Sequence, residues 1–111
     1  MRVVLDHNVP HRLRPLLVGH DVFTTRFLGW EALTNGLLQA AADAGFEALV
    51  TCDKTMVGQH HEPDLPLPVV VLMARTNAIV ELRPFVPPLL DLLAEPLARQ
   101  FHRLHTPNKA L

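Results

Sequence analysis

The chain has 111 residues, 49% of them hydrophobic and 19% charged, with a formal net charge of −1. That composition is globular, not disordered, and the length fits one domain (1–111) with a modest core. The near-zero charge excludes a general electrostatic pull toward nucleic acid, and no apolar run approaches the roughly 18 residues a membrane-spanning helix needs.

Cys52 is the only cysteine, so no intrachain disulfide can form, and a reducing cytoplasm is the expected compartment. The N-terminus enters a predicted strand directly and does not read as a signal peptide. The basic residues are eight Arg and two Lys, Lys54 and Lys109. Guanidinium forks suit phosphate, although a GC-rich genome explains the same bias.

The first predicted element is Val3-Val4-Leu5-Asp6, an aliphatic run of the kind buried on both faces of a parallel sheet. Pro10 then opens a helix through Arg12, Leu13, Leu16 and Leu17, kinked or delayed by Pro15 and stopped at Gly19. Asp21 to Thr25 reads as a second short strand. Asn35 is the expected N-cap of a helix with Leu37, Leu38, Ala41 and Ala42 on its apolar stripe, ending at Gly45. A third strand runs from Glu47 to Thr51 and leads to Cys52 and Asp53. A polar loop from Lys54 to Leu65 follows. Val69-Val70-Val71-Leu72-Met73 is the strongest strand and is expected to be central. Asn77 is expected to cap a helix through Ile79, Val80 and Leu82. Pro84, Pro87 and Pro88 break that helix, and a second piece runs from about Pro88 to Leu93. Residues 99–104 carry a weak pattern for a final edge strand. The alternation predicts an α/β sheet flanked by helices.

Two strands that each end on an aspartate have a chemical implication. In open α/β sheets ligands bind beyond the carboxyl ends of the strands. The expected rim carries Asp6, Asn8, Asn35, Thr51, Asp53 and residues 75–77. Two carboxylates with amide and hydroxyl oxygens can hold Mg²⁺ weakly, and a metal-bound water can attack a phosphodiester while Arg12 or Arg75 neutralises the phosphate. The structural alternative is that each aspartate only caps the next turn. His60-His61 with Glu62 and Asp64 has metal-ligand residue types but reads as a solvated loop. Cys52 reads as a small buried residue. Trp30 and the five phenylalanines read as packing, and with no tyrosine the chain lacks the usual interleaving of aromatic and basic residues.

From Asp6-His7-Asn8-Val9-Pro10 onward, the sequence resembles the short stand-alone bacterial PIN-like proteins, whose opening is typically Asp-Glu-Asn-Leu/Val-Pro after an apolar strand. The likeness continues through Gly19-His20-Asp21-Val22, Gly29-Trp30, Asn35-Gly36 and Leu49-Val50-Thr51-Cys52-Asp53. It then covers Val69-Val70-Val71-Leu72, Arg75, Asn77 and Leu82-Arg83-Pro84-Phe85-Val86-Pro87, so that it spans about residues 1–95 and leaves 96–111 as a tail or edge strand. The resemblance implies a PIN-like three-layer sandwich with a central, mostly parallel sheet. It also implies kinship with metal-dependent endoribonucleases, many of them toxins of toxin–antitoxin pairs. In that picture Asp6 and Asp53 are catalytic and hold Mg²⁺ or Mn²⁺. Asn8 and Thr51 support them, and Arg12 and Arg75 face the RNA backbone; with Asn35 and Asn77 of the rim, these residues make up the expected substrate-binding set. RNA, a cognate antitoxin and a second copy of the chain are the partners expected.

The sequence departs from that pattern where His7 replaces the usual Glu and Leu37 replaces the acid after Asn-Gly. An inactive member that binds RNA or a partner is therefore the alternative to a nuclease. A third reading is a response-regulator receiver, with Asp53 as phosphoacceptor and Asp6 on Mg²⁺. Receivers usually carry two adjacent acids after strand one and a Lys after strand five, whereas this chain has Asp6-His7, and Lys109 lies in its tail.

Overall fold

The computed structural model of the protein describes residues 1–33 and 36–106. Five parallel strands, β1 (Arg2–Leu5), β2 (Asp21–Thr24), β3 (Ala48–Thr51), β4 (Val69–Leu72) and β5 (Phe101–Leu104), form one sheet in the order β2-β1-β3-β4-β5. Every residue of β3 and β4 is buried, as expected of strands covered on both faces.

Side chains alternate across the sheet and meet a helical layer on each side. On one face Val3, Leu5, Val50, Val70 and Leu72 pack against Leu13 and Leu17 and against Leu82, Phe85, Leu89 and Leu93. On the other face Val4, Leu49, Val69 and Val71 pack against Leu38, Ala41, Met56, Leu65 and Leu67. The result is an α/β fold in three layers.

The helices are α1 (Leu37–Asp43), α2 (Met56–Gln59), α3 (Ile79–Leu82) and α4 (Val86–Leu93). The segment expected to be a helix after Pro10 is instead a 3₁₀ turn over His11–Leu16 with Pro15 inside it. Proline lacks an N–H and clashes with the carbonyl four residues back, so an α-helix is disfavoured there. The predicted break at the later prolines is also resolved by 3₁₀ geometry. Arg83–Phe85 carries α3 into α4, and Pro87 and Pro88 sit in the first turn of α4, where amide donors have no intrahelical partner.

The predicted cap at Asn77 is not the cap of its helix. The residue before α1 is Gly36 at φ 81°, a left-handed conformation that glycine adopts without a Cβ penalty, and Asn35 lies outside the described residues. Ala78 precedes α3, while the Asn77 amide donates to the Asn8 carbonyl at 2.8 Å. The stretch predicted as a polar loop holds α2 and a 3₁₀ turn at Glu62–Asp64, pinned by buried Met56 and Leu65. β4 is interior, but the middle of the sheet is β3. The weakly patterned tail does form a strand, the parallel edge β5.

The chain leaves β1 for β2 over the face that carries Leu13 and Leu17. It reaches β3 by way of α1 on the opposite face. Strand order therefore reverses between β1 and β3, which is the topological switch point where doubly wound sheets open a crevice. No described helix is long and apolar enough to cross a membrane.

Candidate functional site at the switch point

Asp6 is the first residue after β1, and its N–H donates to the Val50 carbonyl at 2.9 Å, which ties it to the end of β3. Its side chain is only 3% exposed. Oδ2 accepts the Thr51 hydroxyl at 2.8 Å, Oδ1 accepts the His7 backbone N–H at 2.8 Å, and the same oxygen lies 3.0 Å from His7 Nδ1. A buried carboxylate needs such donors, because an unpaired charge in the interior is costly.

Thr51 is the keystone of the cluster. While donating to Asp6, its hydroxyl oxygen accepts the Asp53 backbone N–H at 3.0 Å. Being fully buried, it presents no surface to a substrate, so it supports the site and does not bind within it. Asn8 likewise turns inward: its Oδ1 accepts the Cys52 N–H at 3.0 Å. Asp53 is half-buried, and its Oδ1 accepts both the Thr55 N–H at 3.0 Å and the Thr55 hydroxyl at 2.6 Å. This aspartate therefore does organise the turn that follows it, as in an Asx turn.

Of the residues singled out from sequence, Asp6, Asn8, Thr51 and Asp53 converge, with Asn77 tethered to Asn8. Arg12 and Arg75 do not. Arg12 is exposed on the 3₁₀ turn and lines neither cleft described below, and Arg75 is paired with Glu81 at 3.1 Å. Lys109, the lysine weighed for the receiver reading, lies outside the described residues, and the ammonium of Lys54 donates to the Ala74 carbonyl.

Two clefts meet at Asp6, His7 and Glu31. The larger, of about 840 Å³, is also lined by Asp53, by the apolar Leu37, Leu38 and Met56, and by Gln59, His60 and His61. The smaller, of about 470 Å³, runs toward the end of β2 and is lined by His11, Thr25 and Arg26. Arg26 and Glu31 escaped the reading from sequence; the strand-end rule that selected Asp6 and Asp53 could have flagged Arg26, two residues after β2, but not Glu31, which lies farther along the loop. Leu37, where the resemblance implies an acid, places an apolar side chain in the larger cleft.

The Mg²⁺ or Mn²⁺ implied by the resemblance can be tested against this donor set. A resident octahedral ion needs several free oxygens. Here the Asn8 and Thr51 oxygens are taken by the Cys52 and Asp53 amides, Asp53 Oδ1 by Thr55, and both Asp6 oxygens by His7 and Thr51. Among the described residues no three His, Cys, Asp or Glu side chains are grouped to hold a metal ion. These hydrogen bonds still leave lone pairs free: Asp6 Oδ2 accepts one donor, and Asp53 Oδ2 accepts none among the described residues. The two carboxylates could therefore hold a divalent cation through few direct contacts, with most of its coordination left to water.

Cys52 is no nucleophile either. Burial pushes its thiol up to about 11, and the nearby Asp6 charge adds to that while Lys54 opposes it. A thiol so raised stays protonated at neutral pH, and the thiolate is the reactive form. No family model, curated protein or solved structure matches the chain.

Proposed function

We propose that the protein is a PIN-like domain that binds single-stranded RNA at the β1/β3 switch point. The observation that carries this reading is the pair of clefts meeting at one ridge. The larger has the apolar walls of Leu38 and Met56 beside the amide of Gln59, a combination that accepts an unstacked base and reads its edge. The smaller presents Arg26 and His11, and a guanidinium fork is suited to a phosphate. A nucleotide laid across the ridge thus has a pocket for its base on one side and cations for its phosphate on the other.

The test is fluorescence anisotropy with a short labelled single-stranded RNA over a salt series. Arg26→Ala should weaken binding several-fold for every sequence and lower the salt slope by about one. An unchanged slope removes Arg26 from the RNA path, and no binding by the wild type overturns the RNA reading.

A second reading is the metal-dependent endoribonuclease implied by the resemblance, favoured by Asp6 and Asp53 standing after adjacent strands. It requires RNA cleavage that depends on added Mn²⁺ or Mg²⁺, stops in EDTA and is lost in Asp53→Asn.

A further inference from the structure

We infer that Thr25, Arg26 and His11 form an oxyanion subsite in the smaller cleft, fitted to a phosphoryl group. The inference deepens the RNA reading above and rests on it for the source of that group, while the subsite itself is read from its own donors.

The first observation is an unpartnered hydroxyl. Thr25 is only 2% exposed and lines the cleft, yet its Oγ1 has no hydrogen-bond partner among the described residues. A buried hydroxyl left unpaired costs free energy, and in a folded protein such a group calls for a reason. The backbone around it is held firmly. The Thr25 N–H donates to the Leu5 carbonyl at 3.2 Å, and the Thr25 carbonyl accepts the Trp30 N–H at 2.8 Å. In the same turn the Phe27 N–H donates to Thr24 Oγ1 at 3.1 Å. The hydroxyl of Thr25 is thus left over in a turn that satisfies its neighbours, and a ligand in the cleft supplies the acceptor that the fold does not.

The second observation is the distribution of charge. Asp6, His7 and Glu31 line both clefts, whereas Val9, Pro10, His11, Thr24, Thr25 and Arg26 line only the smaller one. No acid stands among those six residues. Arg26 is exposed and belongs to none of the ion pairs among the described residues. A guanidinium can only donate, a histidine ring offers an N–H, and a threonine hydroxyl can turn its proton toward an anion. Three donors with no acid among their immediate companions suit an oxyanion and disfavour a cation. A phosphoryl group has enough oxygens to accept from all three. Its place is the β2 end of the cleft, away from the carboxylates of the shared ridge.

The experiment is a ¹H–¹⁵N NMR titration of the full-length protein with inorganic phosphate at constant ionic strength, set against sodium chloride, with a short single-stranded RNA as a second arm. Phosphate, and not chloride, should shift the amides of Thr25 and Arg26 and saturate. Thr25→Val removes the hydroxyl and should weaken phosphate binding about tenfold. Its melting temperature should equal or exceed that of the wild type, because an unsatisfied buried group is gone. Thr25→Ser keeps the hydroxyl and should keep most of the affinity. Equal phosphate affinity in Thr25→Val and the wild type overturns the subsite, as does the lack of a saturable shift at those two amides. A melting temperature well below the wild type in Thr25→Val shows that the hydroxyl has a partner within the fold and overturns it as well. Saturable phosphate binding by a protein that binds no RNA leaves the subsite standing and removes the RNA reading. RNA binding that neither phosphate nor Thr25→Val alters overturns the subsite and leaves the RNA reading in place.

Discussion

Cys52 lies between a catalytic candidate and its support, yet its surroundings make it inert. The thiol is raised above its ordinary value of 9.0 to about 11, chiefly because burial penalises the thiolate. A folded-state value above the unfolded one means that folding favours the protonated form. Its contribution to stability is therefore complete below about pH 9 and is lost as pH climbs through about 11. Denaturant midpoints measured from pH 8 to pH 11 should fall more steeply for the wild type than for Cys52→Ala. Iodoacetamide at pH 8 should label the thiol far more slowly in the native protein than in urea. Labelling at equal rates would show that the thiol is not shielded.

Among the elements, the 3₁₀ turn at His11–Leu16 illustrates how packing rescues a segment that its own propensity disfavours. Pro15 denies it an α-helix, and its place on the sheet is fixed by Leu13, which is fully buried against the face carrying Val3 and Leu5. Truncating that side chain removes the anchor and leaves a cavity. Leu13→Ala should cost about 2–5 kcal/mol in chemical denaturation. The neighbouring exposed Arg12→Ala should stay within about 0.5 kcal/mol. Similar costs for the two variants would mean that this turn is not docked on the sheet as described.

The whole molecule depends on its last strand. β4 is buried along its full length because β5 pairs with one side of it and the two helical layers cover its faces. Removing residues from 96 onward uncovers the backbone edge of an aliphatic strand, a template for pairing with another chain. Size-exclusion chromatography of that truncated protein should show oligomers or aggregate, together with a lower melting temperature. A monomer of unchanged melting temperature would show that β5 lies outside the cooperative unit.

The α/β class, the strands from Val3, from Ala48 and from Val69, and the placement of Asp6 and Asp53 at strand ends were all legible in the sequence. These features rest on short-range signals: runs of β-branched residues, and a residue that follows such a run. The resemblance to PIN-like proteins was equally a matter of local motifs in order. The bonding inside the site was decided only by the tertiary structure. Thr51 reaches Asp6 across 45 positions of sequence, and Asn8 reaches Cys52 across 44. Those contacts occupy one lone pair on oxygens that a reading from sequence assigns to a metal. The fold leaves Arg12 on an exposed turn and Arg75 beside Glu81, and it brings Arg26 and Glu31 from the loop after β2 to the clefts at Asp6. Local pattern fixes which residues end a strand. Which of their polar atoms remain free depends on partners that distant parts of the chain supply, because a buried polar group is satisfied by whatever the fold places beside it.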